Sequence, residues 1–355
     1  MTGSTEAQQV AAAQYVRQQQ VVRRTAEQAQ AVWRRLHPAD LEGTWQLLVA
    51  PGLMSAVTAG QQEAASHADS YVAAVLAADG LESDPSGRVA PARFAGIAAD
   101  GRPLKSLFYE SVLESRWLLE EADVSDVEAM IGGLEKLLKA VATEVADAGR
   151  TASGVSIAGN RTINGYIRIA SAPCCARCAI LSGKEYGWNT GFQRHPRCDC
   201  IHMPAKLIAR SSLRRGHLDR AEMFPTTGRG GPRGIVDADK YFSSLSRAEQ
   251  NRIFTNAGAQ AIRDGASISS VVNARRGMYT ASAYGRTVRA TRDSATRRGA
   301  WFRQERQRAI QRGLVPRSGQ GFRLMAPRLR PEEIYRLAGS RSEAIAMLHR
   351  FGYMT

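Results

Sequence analysis

All five cysteines of this 355-residue chain fall between Cys174 and Cys200, and the pair His195-Pro196 lies among them. Cys175 and Cys178 form a C-x2-C knuckle; after sixteen intervening residues His195 and Cys198 form H-x2-C, and Cys200 adds C-x-C. Zinc takes four thiolate or imidazole ligands in a tetrahedron, and two chelating pairs separated by a loop supply them while closing that loop. The spacing predicts a structural Zn2+ held by Cys175, Cys178, Cys198 and one of His195 or Cys200, with Cys174 a spare and His202 a further donor. A closed site of this kind leaves no ligand position for water and compensates for a small apolar core. Three alternatives stay open. A redox pair would place C-x2-C in a βαβ context, which the flanking sequence lacks. A catalytic zinc would need a nearby acid or base, for which Glu185 is the candidate inside the loop. The thiols could also simply pack.

The elements that must position these residues differ along the chain. Residues 5–36 contain neither Gly nor Pro and are rich in Ala, Gln and Arg, so they predict a long helix ended by His37-Pro38. Its apolar stripe, Val10, Ala13, Tyr15, Val21, Val22, Ala29 and Val32, is narrow, as expected of a helix that packs on a partner or protrudes. Further helices are expected at 38–49, 52–78, 103–120 and 124–149, with a Gly- and Pro-rich connection at 79–102. From 150 to 205, β-branched residues, glycines and aromatics predict short strands and loops. After a basic, loop-rich stretch, helices are expected near 237–264 and 267–276, then at "PEEIYRLAG" and "SRSEAIAMLHRFGY". There Pro331 suits a first helical turn and Ser340 suits an N-cap. The fold class is therefore α+β, mainly α: a helical N-terminal domain (1–150), expected to be elongated and to bind a partner, a Cys/His core (151–205), a basic linker (206–236) and a basic helical C-terminal region (237–355).

Charge follows the same division. Residues 39–148 carry a net charge of −11 and residues 271–355 carry +13, every basic group in the latter being arginine. Guanidinium groups pair bidentately with phosphates or carboxylates. Arg286, Arg289, Arg292, Arg297, Arg298, Arg303 and Arg306, with Arg308 and the aromatics Trp301 and Phe302, could grip nucleic-acid backbone without sequence preference. The segment "QAIRDGASISSVVNARRG" also pairs two short helices around Gly265, either a helix-turn-helix or two packed helices of no special role. No run of about 18 apolar residues marks a membrane span, and the N-terminal residues lack the features of a secretory signal. The expectation is a soluble protein made in a cytosol, where clustered thiols bind metal rather than form disulfides.

The stretch "NGYIRIASAPCCARCAILSGKEYGWNTGFQRHPRCDCIHMP" resembles the core of the Mu F-like minor head proteins, the head morphogenesis proteins of tailed bacteriophages. Cys175, Cys178, Leu181, Gly183, His195, Pro196, Cys198, Cys200 and Pro204 occupy the positions of that motif. The C-terminal segments "KYFSSLSRAEQNRIFTNAGAQAIRDGASISSVVNARRGM", "SATRRG" and "LRPEEIYRLAGSRSEAIAMLHRFGY" are similar to those of such proteins from actinobacteriophages. The resemblance implies a virion component acting at the portal vertex, made in the host cytoplasm, with the portal protein and the major capsid protein as partners and double-stranded DNA as a further contact. A non-catalytic role is expected. His67 and His217 lie on expected helices without a G-x-S-x-G context, Glu332 and Glu333 open a helix, and no G-x-x-x-x-G-K-[ST] phosphate loop exists. The alternatives are a zinc-containing DNA-binding protein and a capsid maturation protease.

Overall fold

The computed structural model describes residues 4–191, 198, 200–207, 236–297, 299–315, 322–324 and 326–354. The protein is α+β and mainly helical, with two three-stranded antiparallel sheets. Its chain forms two compact units, Met1–Ala172 with Ser182–Val236, and Pro173–Leu181 with Asp237–Thr355. The described part of the linker expected at 206–236 is confined to residues 206, 207 and 236; the rest of it lies outside the described residues.

In the first unit, helix α1 (Thr5–Trp33) begins at Ser4, whose hydroxyl accepts the Ala7 N–H and caps it. Two short segments follow, α2 (Leu41–Thr44) and a π turn at Trp45–Val49, then α3 (Ala50–Ser66), α4 (Ala68–Ala78), α5 (Leu104–Glu121) and α6 (Asp126–Ala158). Helix α1 does not protrude: it packs on α3, α4 and α6. Tyr15, Val21 and Ala29 of the expected stripe are buried, and the buried face is widened by Ala7, Ala11, Ala12 and the glutamines Gln8, Gln14 and Gln18. Gln18, for example, is buried and donates from Nε2 to the Ala64 carbonyl at 3.0 Å. The hydrogen bond offsets part of the cost of burying the amide.

Helix α6 also differs from expectation: it runs through Ala158 instead of yielding to strands near 150. A capping box of Ser125 and Glu128 starts it, and Gly159 ends it. Residues 144–150 are buried consecutively, so this stretch is surrounded by protein on every side. That tertiary contact with α1, α3, α4 and the sheet outweighs the weak helix propensity of "SGVSIAG". Glycine makes the close approach to α5 possible: a Cβ on Gly133 would stand 2.0 Å from Ser115 Oγ and 2.6 Å from the Ser111 carbonyl.

The first sheet has the order β2-β1-β3, with β1 (Gly165–Ile169) central, β2 (Glu185–Gly187) on one side and β3 (Ile201–Ala205) on the other. All five residues of β1 are buried. Its register sets Ile167 opposite Glu185 and Met203, and Arg168 opposite His202. Ile167, Ile169, Ile201 and Met203 join Ala7, Tyr15, Tyr71 and Ile157 in one apolar cluster, which seats the sheet on the helices.

The second unit contains α7 (Ala176–Leu181), α8 (Ala238–Ser244), α9 (Arg247–Phe254), α10 (Asn256–Arg263), α11 (Ile268–Asn273), β4 (Met278–Ala283), β5 (Arg286–Thr291), α12 (Ala300–Gln311), β6 (Arg328–Leu329), α13 (Pro331–Leu337) and α14 (Arg341–Arg350). Pro331 opens α13, and Ser340 caps α14 by accepting the Glu343 N–H at 3.1 Å. The C-terminal region, expected to be helical, also contains the sheet β4-β5-β6. One face of its hairpin packs through Ala281, Ala283 and Val288 on a core of Trp301, Leu329, Ile334, Leu348, Phe351 and Tyr353.

Candidate metal centre

Strand β1 carries the decisive side chain. Arg168 is fully buried within an otherwise apolar strand, and its backbone is fixed by the Gly183 N–H donating to its carbonyl (2.8 Å) and by its own N–H donating to Lys184 (2.9 Å). The guanidinium Nη2 lies 3.4 Å from Cys200 Sγ and 3.6 Å from Cys198 Sγ. Both cysteines are buried, Cys198 at 1% exposure and Cys200 at 0%.

Helix α6 holds the same C-x-C turn from its backbone. Buried Arg150 is paired with Asp147 one turn earlier, and its Nη1 donates to the carbonyls of Cys198 and Cys200, the latter at 3.4 Å. His202, two residues beyond Cys200, is held by Tyr71 on α4, whose hydroxyl donates to the His202 carbonyl at 2.9 Å. Burial drives the Tyr71 phenol far above its ordinary pKa, so it remains a donor. The His202 ring packs against Tyr166, with centroids 4.3 Å apart.

The C-x2-C residues take different roles. Cys175 is exposed and its sulfur accepts the Cys178 N–H at 3.4 Å, the geometry of a cap on the first turn of α7. Cys178 is buried. Cys174 is tied by its backbone to Tyr241: its N–H donates to the phenol oxygen (3.1 Å) and the phenol donates to its carbonyl (2.8 Å). Burial is the main cause that pushes the Tyr241 pKa up to about 12.

The sulfurs of Cys178, Cys198 and Cys200 all lie within 4.8 Å of one another. Thiolates bonded to one tetrahedral zinc at about 2.3 Å stand about 3.8 Å apart, so this donor set fits such an ion. A guanidinium cannot lose its proton, and beside a thiol it favours the thiolate, the form that binds metal. Three thiols this close are near enough to hold one soft cation. Cys200, one of the two residues expected to complete the set, lies in this trio with Cys178 and Cys198, and Cys175 lies outside it. His195 lies outside the described residues. Glu185 is exposed on β2.

Sequence reasoning missed Arg168, Arg150 and Asp147. The signal for the first was present: an arginine inside "GYIRI" interrupts an otherwise uncharged strand, and a buried charge of this kind marks a polar partner. Nothing local marks Arg150 and Asp147, because an i,i+3 pair on a helix is ordinary at a surface.

Of the arginines expected to meet nucleic acid, Arg286 and Arg289 are exposed on β5, and Arg292 is exposed with its guanidinium 5.5 Å from the Tyr279 ring centroid. Arg297 is exposed, Arg303 and Arg306 lie on α12, and Arg298 is outside the described residues. Trp301 does not interleave with them. It is 2% exposed and packs near Phe351, while Phe302 stacks edge-on with Phe322. The two helices around Gly265 are α10 and α11, the glycine adopting φ +105° between them.

The fold and site together define a mainly helical α+β protein with a buried three-cysteine centre beside a buried arginine. No protein-family model, no curated protein and no solved structure matches the chain. No described helix is long and apolar enough to cross a membrane.

Proposed function

We propose that this protein is a minor head protein of a tailed bacteriophage, non-catalytic, acting at the portal vertex with the portal protein and the major capsid protein as partners, and that its cysteine centre holds one structural zinc ion. The observation that carries the reading is the stretch Cys175–Pro204, whose residue pattern resembles the Mu F-like core. Three of its cysteines, Cys178, Cys198 and Cys200, are buried within mutual reach of one ion. In this reading those three residues supply thiolates, His195 is the remaining donor that the motif offers, and Arg168 offsets the negative charge that the thiolates bring. Zinc supplies no chemistry to a substrate here; it ties together residues distant in sequence.

Two measurements test the proposal separately. Elemental analysis of protein purified without chelator is expected to give one zinc per chain, lost in Cys198→Ser and Cys200→Ser and retained in Cys175→Ser. Zinc-free protein with five titratable thiols would refute the metal assignment. Co-expression with the portal and major capsid proteins of the phage that carries the gene is expected to yield head particles containing this chain. Particles that assemble without it, and portal oligomers that never retain it, would refute the assembly role.

A further inference from the structure

The β4–β5 hairpin carries an interaction surface that the cysteine centre does not explain. Between Asp264 and Asp293 the chain has no carboxylate, yet it holds five arginines, Arg275, Arg276, Arg286, Arg289 and Arg292. The hairpin register pairs Thr280 with Arg289 and Ser282 with Thr287, and residues paired across an antiparallel ladder share a face. These four are exposed, whereas the opposite face presents Val288 and Ala290, both fully buried, and beside the tip Arg286, paired with Ala283 and exposed. The outward face is thus three hydroxyls and a guanidinium. These groups donate hydrogen bonds to phosphate oxygens.

The tip reinforces the reading. Tyr284 and Gly285 form a two-residue connection with φ +54° and +71°. Both values lie in the left-handed region, which such a turn requires and which glycine or asparagine fills at least cost. A tyrosine there is held against its backbone preference, and its side chain is 48% exposed. Packing does not account for the choice, whereas an aromatic tip next to Arg286 suits contact with a nucleic acid. A two-stranded antiparallel ribbon also has the width of the DNA major groove.

We propose that the β4–β5 hairpin is a double-stranded DNA-binding ribbon that contacts the phosphate backbone through Arg289 and the hydroxyls of Thr280, Ser282 and Thr287 on its outward face, and through Arg286 beside Tyr284 at its leading edge. This goes beyond the functional reading above by giving a site to the DNA contact that the resemblance implies, and it needs neither the zinc nor the capsid partners.

The test is fluorescence anisotropy of the full-length protein with a random-sequence DNA duplex over a salt series from about 50 to about 200 mM. Binding that weakens steeply with salt is expected. The double variant Arg286→Ala/Arg289→Ala should lower the slope of log affinity against log salt by about 2, at roughly 0.9 per lost phosphate contact, and lower affinity about tenfold or more at the low-salt end. Tyr284→Gly relieves the backbone and should unfold no earlier than the parent, yet bind several-fold more weakly. Absence of DNA binding at low salt, or an unchanged slope in the double variant, would overturn the proposal, and unchanged affinity in Tyr284→Gly would remove the tip from it. Because the assay contains only protein and DNA, its failure leaves the head-assembly and zinc measurements standing, and theirs leaves it standing.

Discussion

Arg150 and Arg168 lie in the interior beside the C-x-C turn, whereas Arg286 and Arg289 stand in solvent on a hairpin of the other unit. The residue type is the same, but the energetics are not. A buried guanidinium has lost its hydration and must be compensated within the protein, so its partners are fixed: Asp147 and two carbonyls for Arg150, two sulfurs for Arg168. An exposed guanidinium keeps its water and adds little to stability, which leaves it available to a polyanion. Charge density alone therefore says little about role; burial decides it.

The comparison can be broken most severely at Arg150. Arg150→Ala takes the cation from beside buried Asp147 and the donor from two carbonyls, and should cost about 4 kcal/mol in urea unfolding. A loss below about 1 kcal/mol, the size typical of exposed ion pairs, would show that the interior pair behaves like a surface one.

Trp301→Ala comes next. The arginine-rich segment around it reads as a nucleic-acid belt, but the ring is in the core, so truncation should cost about 3 kcal/mol of stability while the salt dependence of DNA binding stays as in the parent. An unchanged melting temperature would return this residue to the surface class.

Glu144 sharpens the interior side of the comparison. It is buried on α6, accepts the Ala99 N–H at 2.7 Å, and lacks a cation as close as the one that serves Asp147. Burial, the largest influence, raises its pKa above the ordinary carboxylate range; the Ala99 hydrogen bond opposes this, and the Asp147 carboxylate adds to it. The folded protein thus takes up this proton more readily than the unfolded chain. The penalty of the charge is present at neutral pH and fades as pH falls through the raised pKa. Glu144→Gln, which keeps the acceptor and removes the charge, should stabilise the protein at pH 7 by on the order of 1 kcal/mol, and by progressively less as the pH is lowered into the acid range. A gain independent of pH would rule out the charge as its cause.

The smallest effect is expected at the hairpin. Arg286→Ala should change stability by less than about 0.5 kcal/mol, and Arg289→Ala, whose charge also acts on buried Glu333, by no more than about 1 kcal/mol, measured by thermal unfolding without DNA. A loss comparable to that of Arg150→Ala would mean that these side chains brace the fold.

Much of this molecule was legible before its structure. The helical N-terminal half, the Ser340 cap, Pro331 at a helix start and the concentration of thiols near Cys198 all follow from local chemistry, because caps, turns and metal-ligand spacing depend on a few neighbouring residues. The hairpin β4–β5 was harder to see. Its sequence "MYTASAYGRTVRAT" does alternate, but the turn carries tyrosine where asparagine or glycine would announce it.

Taken alone, the amino-acid sequence determined that the chain is mainly helical, that its basic charge is gathered in arginines toward the C-terminus, and that a set of residues with metal-ligand spacing lies between Cys174 and Cys200. Tertiary structure decided the rest. It placed Cys200 rather than Cys175 with Cys178 and Cys198, drew Arg168 and Arg150 inside beside the thiols, sank α1 through its alanines and glutamines, and left the hairpin arginines in solvent. The physical reason is common to all four: desolvation depends on which surfaces meet, and residues far apart in the chain determine which surfaces those are.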